Sequence, residues 1–411
     1  MNVVILSIGT ELVRGLRLDT HAADIARAVT ALGIDVVRHE TLGDAPAAIA
    51  ASFRRAADEA DVVIATGGLG PTQDDCTRHG LAEAMGSGLV EHPDAVAHLE
   101  AWAAARGKRI SGSNRVQTLL PDGADALPNP VGTAVGIAAR VGEAQVFCLP
   151  GVPGEMRAML RESVLVHLEA AAPGRVTRVR TVRTFGLPES VVGERLADLM
   201  ADGRPTRLGT ACHAGVIDVH VYASGSSDEV NRLLEAETAV VRDRFGDAVF
   251  GEGEQTMEEA VAGLLKAAGT TVALAESCTG GLVAAKLVAV SGMSDHLLEA
   301  VVAYANASKI DTLGVPESLI AKHGAVSDPV ARAMAEGARA RAEADLAVAV
   351  TGIAGPGGGT PEKPVGTVRF ALADSGGTEA VCERLSGDRA LVRERAALYA
   401  LNLLRLRLHK Q

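Results

Sequence analysis

Three segments of the 411-residue chain set hydroxyl, carboxylate or amine side chains among glycines directly after apolar runs. The first is Gly67-Gly68-Leu69-Gly70-Pro71-Thr72-Gln73-Asp74-Asp75-Cys76-Thr77. Its glycines let the backbone approach a ligand closely, and a helix opening after them offers unpaired N–H groups to an anion. Adjacent Asp74 and Asp75 would repel a phosphate unless a cation lay between, so the run suggests a divalent metal bridging carboxylate and phosphate. A strand-to-helix turn with Asp caps would use the same residues. Two further runs, Ser7-Ile8-Gly9-Thr10-Glu11-Leu12 and Leu149-Pro150-Gly151-Val152-Pro153-Gly154-Glu155, also follow apolar strands and are expected on the same face.

The second segment, Ala275-Glu276-Ser277-Cys278-Thr279-Gly280-Gly281, places a hydroxyl at the start of an expected helix, beside amides able to hold an oxyanion. Serine is a weak nucleophile at neutral pH and needs a base. The chain has no GxSxG elbow and no histidine obviously placed for a triad, so a lysine with its pKa lowered by burial is the nearest candidate. Lys309, in Val301-Val302-Ala303-Tyr304-Ala305-Asn306-Ala307-Ser308-Lys309, fits that part. The competing readings are an N-cap for Ser277 and a solvated helix residue for Lys309. Cys278 is a weaker alternative nucleophile, because a small buried thiol is its commoner role. The third segment runs from Thr351 through Gly352, Gly355, Gly357 and Gly358 to Thr367. It lacks a Walker ending and reads as a loop that wraps a ligand.

The elements around these segments alternate. Val3–Ile8, Ile34–Arg38 and Asp61–Thr66 read as strands, with helices to about Leu32 and over Ala45–Glu59, the pattern of a parallel sheet covered on both faces. Ala171-Ala172-Pro173-Gly174 punctuates the chain. An Arg-rich strand (Arg175–Phe185), a helix near Glu189–Met200, a strand near Val216–Tyr222 and a charged helix from Ser227 to Phe245 then form a small β-α-β-α unit. Gly251-Glu252-Gly253-Glu254 reads as a linker, after which the α/β alternation resumes to the end. Three domains are expected: 1–170, 171–250 and 256–411.

The net charge of −11 argues against a nucleic-acid partner, and aromatic residues at 2% leave few platforms for stacking bases. Five scattered cysteines without a CxxC pair suggest neither a disulfide framework nor a zinc site. The first residues read as a strand, not a signal peptide, and no uncharged apolar run approaches the ~20 residues of a membrane span. A cytoplasmic protein with no membrane partner is expected.

The first segment, its two companions and Asn129-Pro130-Val131-Gly132-Thr133-Ala134-Val135-Gly136 resemble the molybdopterin-binding-like domain of the CinA family. That resemblance implies metal-dependent hydrolysis of ADP-ribose. Asp74 and Asp75 would serve the metal (Mg, Mn or Co, with potassium as a further ion). Thr10, Glu11, Gly68, Gly70, Thr72, Asn129 and Gly151 would serve the nucleotide. Asp19-Thr20-His21 stands where that family usually shows Asp-Thr-Asn. AESCTGG, VVAYxNxxK and TGIAGPGGGTxEKPVGTV, in this order, resemble the C-terminal CinA domain, also found alone as PncC. Here the implied reaction is deamidation of nicotinamide mononucleotide (NMN) without a cofactor. Ser277 would be the nucleophile and Lys309 its base, with Tyr304 and Thr351 assisting. Thr279, Gly280, Gly281, Asn306, Gly352, Gly355, Gly357 and Gly358 would line the substrate site. The middle unit resembles the small KH-like domain of these proteins but has no GxxG clamp between Ala171 and Phe250, so a spacer or dimerisation element is the favoured reading. The implied fold is α/β: two parallel-sheet α/β domains joined by a small α+β KH-like domain, in a chain that pairs as a homodimer. The rival readings are an N-terminal domain that binds molybdopterin or a nucleotide without hydrolysis, and an interaction protein of competence or DNA damage with vestigial sites.

Overall fold

Val62–Thr66 is buried at every position, as a strand covered on both faces must be. In the computed structural model, which describes residues 1–107, 109–171 and 174–410, it is the third strand of a six-stranded sheet. The strands of this region are β1 (Asn2–Ile8), β2 (Asp35–Leu42), β3 (Val62–Thr66), β4 (Leu89–Glu91), β5 (Leu119–Pro121), β6 (Asp125–Leu127), β7 (Gly136–Val141) and β8 (Ala144–Leu149). The sheet order is β2-β1-β3-β8-β7-β6, with β4 and β5 forming a separate pair. Pairing is parallel from β2 to β8 and antiparallel across β7 and β6. Strand alternation divides the core. Val4, Leu6 and Val63 meet Ile49 and Phe53 of the helix Pro46–Glu59, whereas Val3, Ile5 and Ile64 meet Ile25 and Val29 of the helix His21–Ala31.

The middle strands are β9 (Val176–Phe185), β10 (Thr206–His213), β11 (Val216–Gly225) and β12 (Val249–Glu252), in the order β10-β11-β9-β12. This corrects two expectations. The unit contains β10 and β12 beyond the β-α-β-α reading, and Gly251 and Glu252 pair with Arg183 and Val182 instead of forming a linker. A four-residue edge strand with a glycine and a register shift shows no alternation to read. The basic face of β9 has partners within the protein: Arg178 with Asn231, Arg180 with Glu235 and Arg183 with Asp218. Of the expected punctuation after residue 170, Ala172 and Pro173 lie outside the described residues.

The last strands are β13 (Val272–Glu276), β14 (Leu297–Val302), β15 (Leu346–Gly352), β16 (Thr367–Asp374) and β17 (Gly377–Arg384), in the order β14-β13-β15-β16-β17. The first three are parallel, and β16 and β17 add an antiparallel hairpin. Helices Met257–Ala268 and Arg389–Leu408 cover one face and Asp328–Ala342 the other. Ligand-bearing loops in such sheets leave the carboxyl ends of parallel strands, which is where β13 and β15 release Ser277 and the glycine-rich segment. By compactness the chain divides into Met1–Arg178 with Ala223–Leu233, and Val179–Tyr222 with Leu234–Gln411.

Candidate functional site

Ser277 leaves β13 with its N–H donating to Val350 O at 2.9 Å, which continues the β13–β15 ladder and fixes the serine at the strand end. Lys309 sits in the first turn of the helix Asn306–Leu313, 1% exposed, with Nζ 3.1 Å from Ser277 Oγ. The same nitrogen donates to Ala303 O at 2.8 Å and Tyr304 O at 3.2 Å. Two carbonyls can only accept. A neutral amine would give them its two N–H groups and keep its lone pair for the serine hydroxyl. Burial lowers the Lys309 pKa from the ordinary lysine range, which favours that neutral form. The pair has the geometry of a nucleophile and its base. Lys309 is therefore not the solvated helix residue of the competing reading. Cys278 is buried, and burial pushes its thiol up to about 12, so it carries little thiolate at neutral pH.

The neighbouring residues differ in what they touch. Tyr304 is 62% exposed, and its phenol oxygen accepts from Arg389 Nη2 at 3.1 Å. Its main-chain carbonyl accepts from Lys309 Nζ, while its phenol is engaged by Arg389. Thr351 Oγ1 donates to Ala325 O at 2.9 Å and so fastens a loop. Thr279 is fully buried, and its Oγ1 has no hydrogen-bond partner among the described residues. Gly280 and Gly281 turn with φ of 64° and 89°, which explains the glycine pair there. A Cβ at Gly352 would come 2.8 Å from Val368 Cγ2. Asn306, Gly357 and Gly358 are exposed, and Gly355 O accepts from Arg389 Nη1 at 2.7 Å.

Three contributors escaped the sequence reading. Glu276, 1% exposed, accepts from Val283 N at 3.1 Å and Ala284 N at 2.8 Å. It therefore takes two of the amides at the start of the helix Leu282–Val288. Arg389 and Arg393, four apart on the last helix, reach Gly355 O and Thr279 O respectively. An acid just before a Gly-Gly turn and an i,i+4 arginine pair were the available signals.

The N-terminal segments surround a cavity of about 810 Å³. Glu11, Gly68, Gly70, Asp74, Asp75 and Gly151 line it, together with Asp19, His21, Asp44 and Glu155. Thr10 instead pairs with Asp44, its N–H donating to Oδ2 at 2.7 Å. Asn129 is buried: Nδ2 donates to Ala134 O and Glu155 Oε2, each at 2.7 Å, while Oδ1 accepts from Val131 N and Gly132 N. That saturates the amide, so Asn129 folds its own loop instead of contacting a ligand. Asp75 likewise accepts from Gly70 N and Thr72 N, each at 2.8 Å, and from Thr72 Oγ1. A side chain missed in the sequence, Arg78, is 2% exposed and donates to Leu69 O at 2.8 Å and Gly70 O at 2.7 Å. It places a cation behind the glycine loop.

Among the described residues no group of three or more His, Cys, Asp or Glu could hold a metal. Asp74 is exposed, its carboxyl lowered by hydrogen bonds from Thr72 and its own backbone. One or two such carboxylates, completed by phosphate oxygens and water, make a hard-oxygen donor set that fits Mg²⁺. Among the described residues no helix is long and apolar enough to cross a membrane.

Family models match the chain in three places. "Probable molybdopterin binding domain" covers residues 4–170, "Damage-inducible protein CinA KH domain" 179–251, and "CinA C-terminal domain" 254–408. A CinA-like protein of Geobacter sulfurreducens is 43% identical over 410 residues, 99% of each chain. One from Citrifermentans bemidjiense is 44% identical over 405 residues, 98% of this chain and 97% of the relative. The crystal structure of the protein CinA from Thermoplasma acidophilum matches at 35% identity, covering 39% of this chain and 95% of that one with a TM-score of 0.37. With full-length relatives at this identity, and with all three domain types in order, the chain belongs to the CinA family.

Proposed function

We propose that residues 256–411 hydrolyse the carboxamide of NMN to nicotinate mononucleotide and ammonia. The observation that carries this reading is the buried Lys309 Nζ at 3.1 Å from Ser277 Oγ. Ser277 Oγ attacks the carboxamide carbon while Lys309 takes its proton. The C–N bond breaks as Lys309 returns that proton to the departing nitrogen, which leaves as ammonia. Water, deprotonated by the same amine, then cleaves the acyl ester and frees Ser277. The unpartnered Thr279 hydroxyl supplies a donor to the oxyanion, because the amides of Val283 and Ala284 are taken by Glu276. The reaction needs no cofactor. The test is ammonia release from NMN by the native chain, Ser277→Ala and Lys309→Ala. Release that both substitutions abolish supports the proposal, and equal release from either variant refutes it.

The acid-lined N-terminal cavity favours a second activity for residues 1–170, cleavage of ADP-ribose with a divalent ion (Mg, Mn or Co), and potassium as a further ion. Asp74, with Asp75, would hold the divalent ion, which when bound neutralises phosphate charge and polarises the phosphoryl group. Gly68, Gly70 and Gly151 admit the pyrophosphate close to the backbone, and Arg78 biases the loop toward anions. AMP release from ADP-ribose that depends on a divalent ion tests this. Binding without release would favour the molybdopterin or nucleotide-binding alternative, and inactivity of both sites would favour an interaction protein of competence or DNA damage. The proposal includes a cytoplasmic homodimer with residues 171–250 as spacer or dimerisation element, acting on small nucleotides and not on nucleic acid or membranes.

A further inference from the structure

We infer that His21 Nε2 is a hydrogen-bond acceptor in the N-terminal cavity and reads a hydroxyl of the ligand's sugar. The argument is a count of protons. Thr66 Oγ1 lies 3.2 Å from Pro150 O, and a carbonyl cannot donate, so the single hydroxyl proton of Thr66 goes there. His21 Nδ1 lies 3.0 Å from the same Thr66 Oγ1. The proton in that contact must come from the imidazole, which fixes the Nδ1–H tautomer. In a neutral ring the lone pair is then on Nε2. Nε2 has no protein partner among the described residues, and His21 lines the cavity.

The ring is neutral near pH 7. Burial lowers its pKa from 6.5, with Arg157 and Arg17 acting in the same direction and Asp19 and Asp24 opposing. Arg157 comes from the facing helix Pro153–Met159 and is itself held by Asp24 at 2.9 Å. Thr66 and Pro150 present only uncharged groups. A neutral imidazole lone pair repels a phosphate oxygen and accepts an O–H, so its place in a phosphorylated ligand is beside a sugar hydroxyl. The inference rests on the proposal that this cavity takes a sugar nucleotide.

The experiment uses the full chain with Mg²⁺. AMP, ribose 5-phosphate and inorganic pyrophosphate are titrated calorimetrically into native protein, His21→Phe and His21→Gln, and the His21 tautomer is read by ¹⁵N NMR. The native ring should show the Nδ1–H signature. His21→Phe should weaken a sugar phosphate roughly 5–10-fold, the size of one lost hydrogen bond, and leave pyrophosphate unchanged. His21→Gln, whose amide oxygen reaches the Nε2 position, should recover most of that loss. Native affinity for the sugar phosphate should fall on acidification through the lowered imidazole pKa, and that of His21→Gln should stay flat. An Nε2–H signature, undiminished sugar-phosphate binding by His21→Phe, or tighter native binding at low pH overturns the inference while the cavity proposal stands. Native protein that binds none of the three probes refutes the cavity proposal and the sugar contact with it.

Discussion

Lys309 Nζ lies 3.1 Å from Ser277 Oγ although the two residues are 32 positions apart, and both are almost wholly withdrawn from solvent. A base must be unprotonated to act. Because burial lowers the Lys309 pKa, NMN deamidation should rise with pH through a limb below the ordinary lysine value of 10.5. Lys309→Arg puts a permanently protonated group where a neutral amine is needed, so it should fall with Lys309→Ala, each by on the order of 10³ in kcat. Initial rates of ammonia release between pH 6 and about 10 provide the check.

Cys278→Ala should retain deamidase activity within about twofold, since a buried thiol with its pKa at about 12 is not the nucleophile. Alkylation of the native protein under the same conditions should leave turnover unchanged. Loss of activity in the alanine variant with an unchanged melting temperature would reverse the assignment.

The Tyr304 phenol bonds Arg389 and does not reach the reacting pair. Tyr304→Phe should therefore cost no more than roughly tenfold in kcat/KM, the scale of one exposed hydrogen bond, against the near-total loss expected for Ser277→Ala. Steady-state kinetics of the two variants side by side distinguish a supporting group from a reacting one.

Glu276→Ala should destabilise the protein by about 1–3 kcal/mol, because it leaves the amides of Val283 and Ala284 unpaired in a buried setting. Glu276→Gln, which keeps an acceptor oxygen, should lose less. Denaturant titration reads both, and identical midpoints for the two variants would contradict the capping role.

The two aspartates of the glycine loop should separate. Asp75→Asn disturbs a carboxylate that gathers Gly70 and Thr72, so it should lower stability by about 1 kcal/mol as well as N-terminal activity. Asp74→Asn leaves those bonds intact and should raise the divalent-ion concentration needed for half-maximal AMP release without moving the melting temperature. The ion titration and the thermal melt together check this pair.

Much of the candidate site was legible because apolar strands followed by glycines mark where a parallel sheet opens, and β1, β3, β13 and β15 all release their loops there. The parts that stayed hidden depend on how the folded loops spend their hydrogen bonds. Asn129 has the composition of a ligand contact, yet its amide is used up on Ala134, Glu155, Val131 and Gly132. Arg78 and Arg405 look like surface cations in a linear reading. Both are buried because carbonyls elsewhere, Leu69 and Gly70 for one and Val249 and Asp247 for the other, accept their protons. Hydrogen-bond saturation is a property of the folded loop and leaves no periodic trace.

Arg393 grips Thr279 O across 114 residues, and Arg389 bridges the glycine-rich loop to the Tyr304 ring. A growing chain thus completes its serine and lysine long before it gains the two clasps that hold their surroundings. The site is therefore framed only once translation has passed Arg393, and a stalled or clipped product lacking that stretch would carry Ser277 and Lys309 without these two clasps.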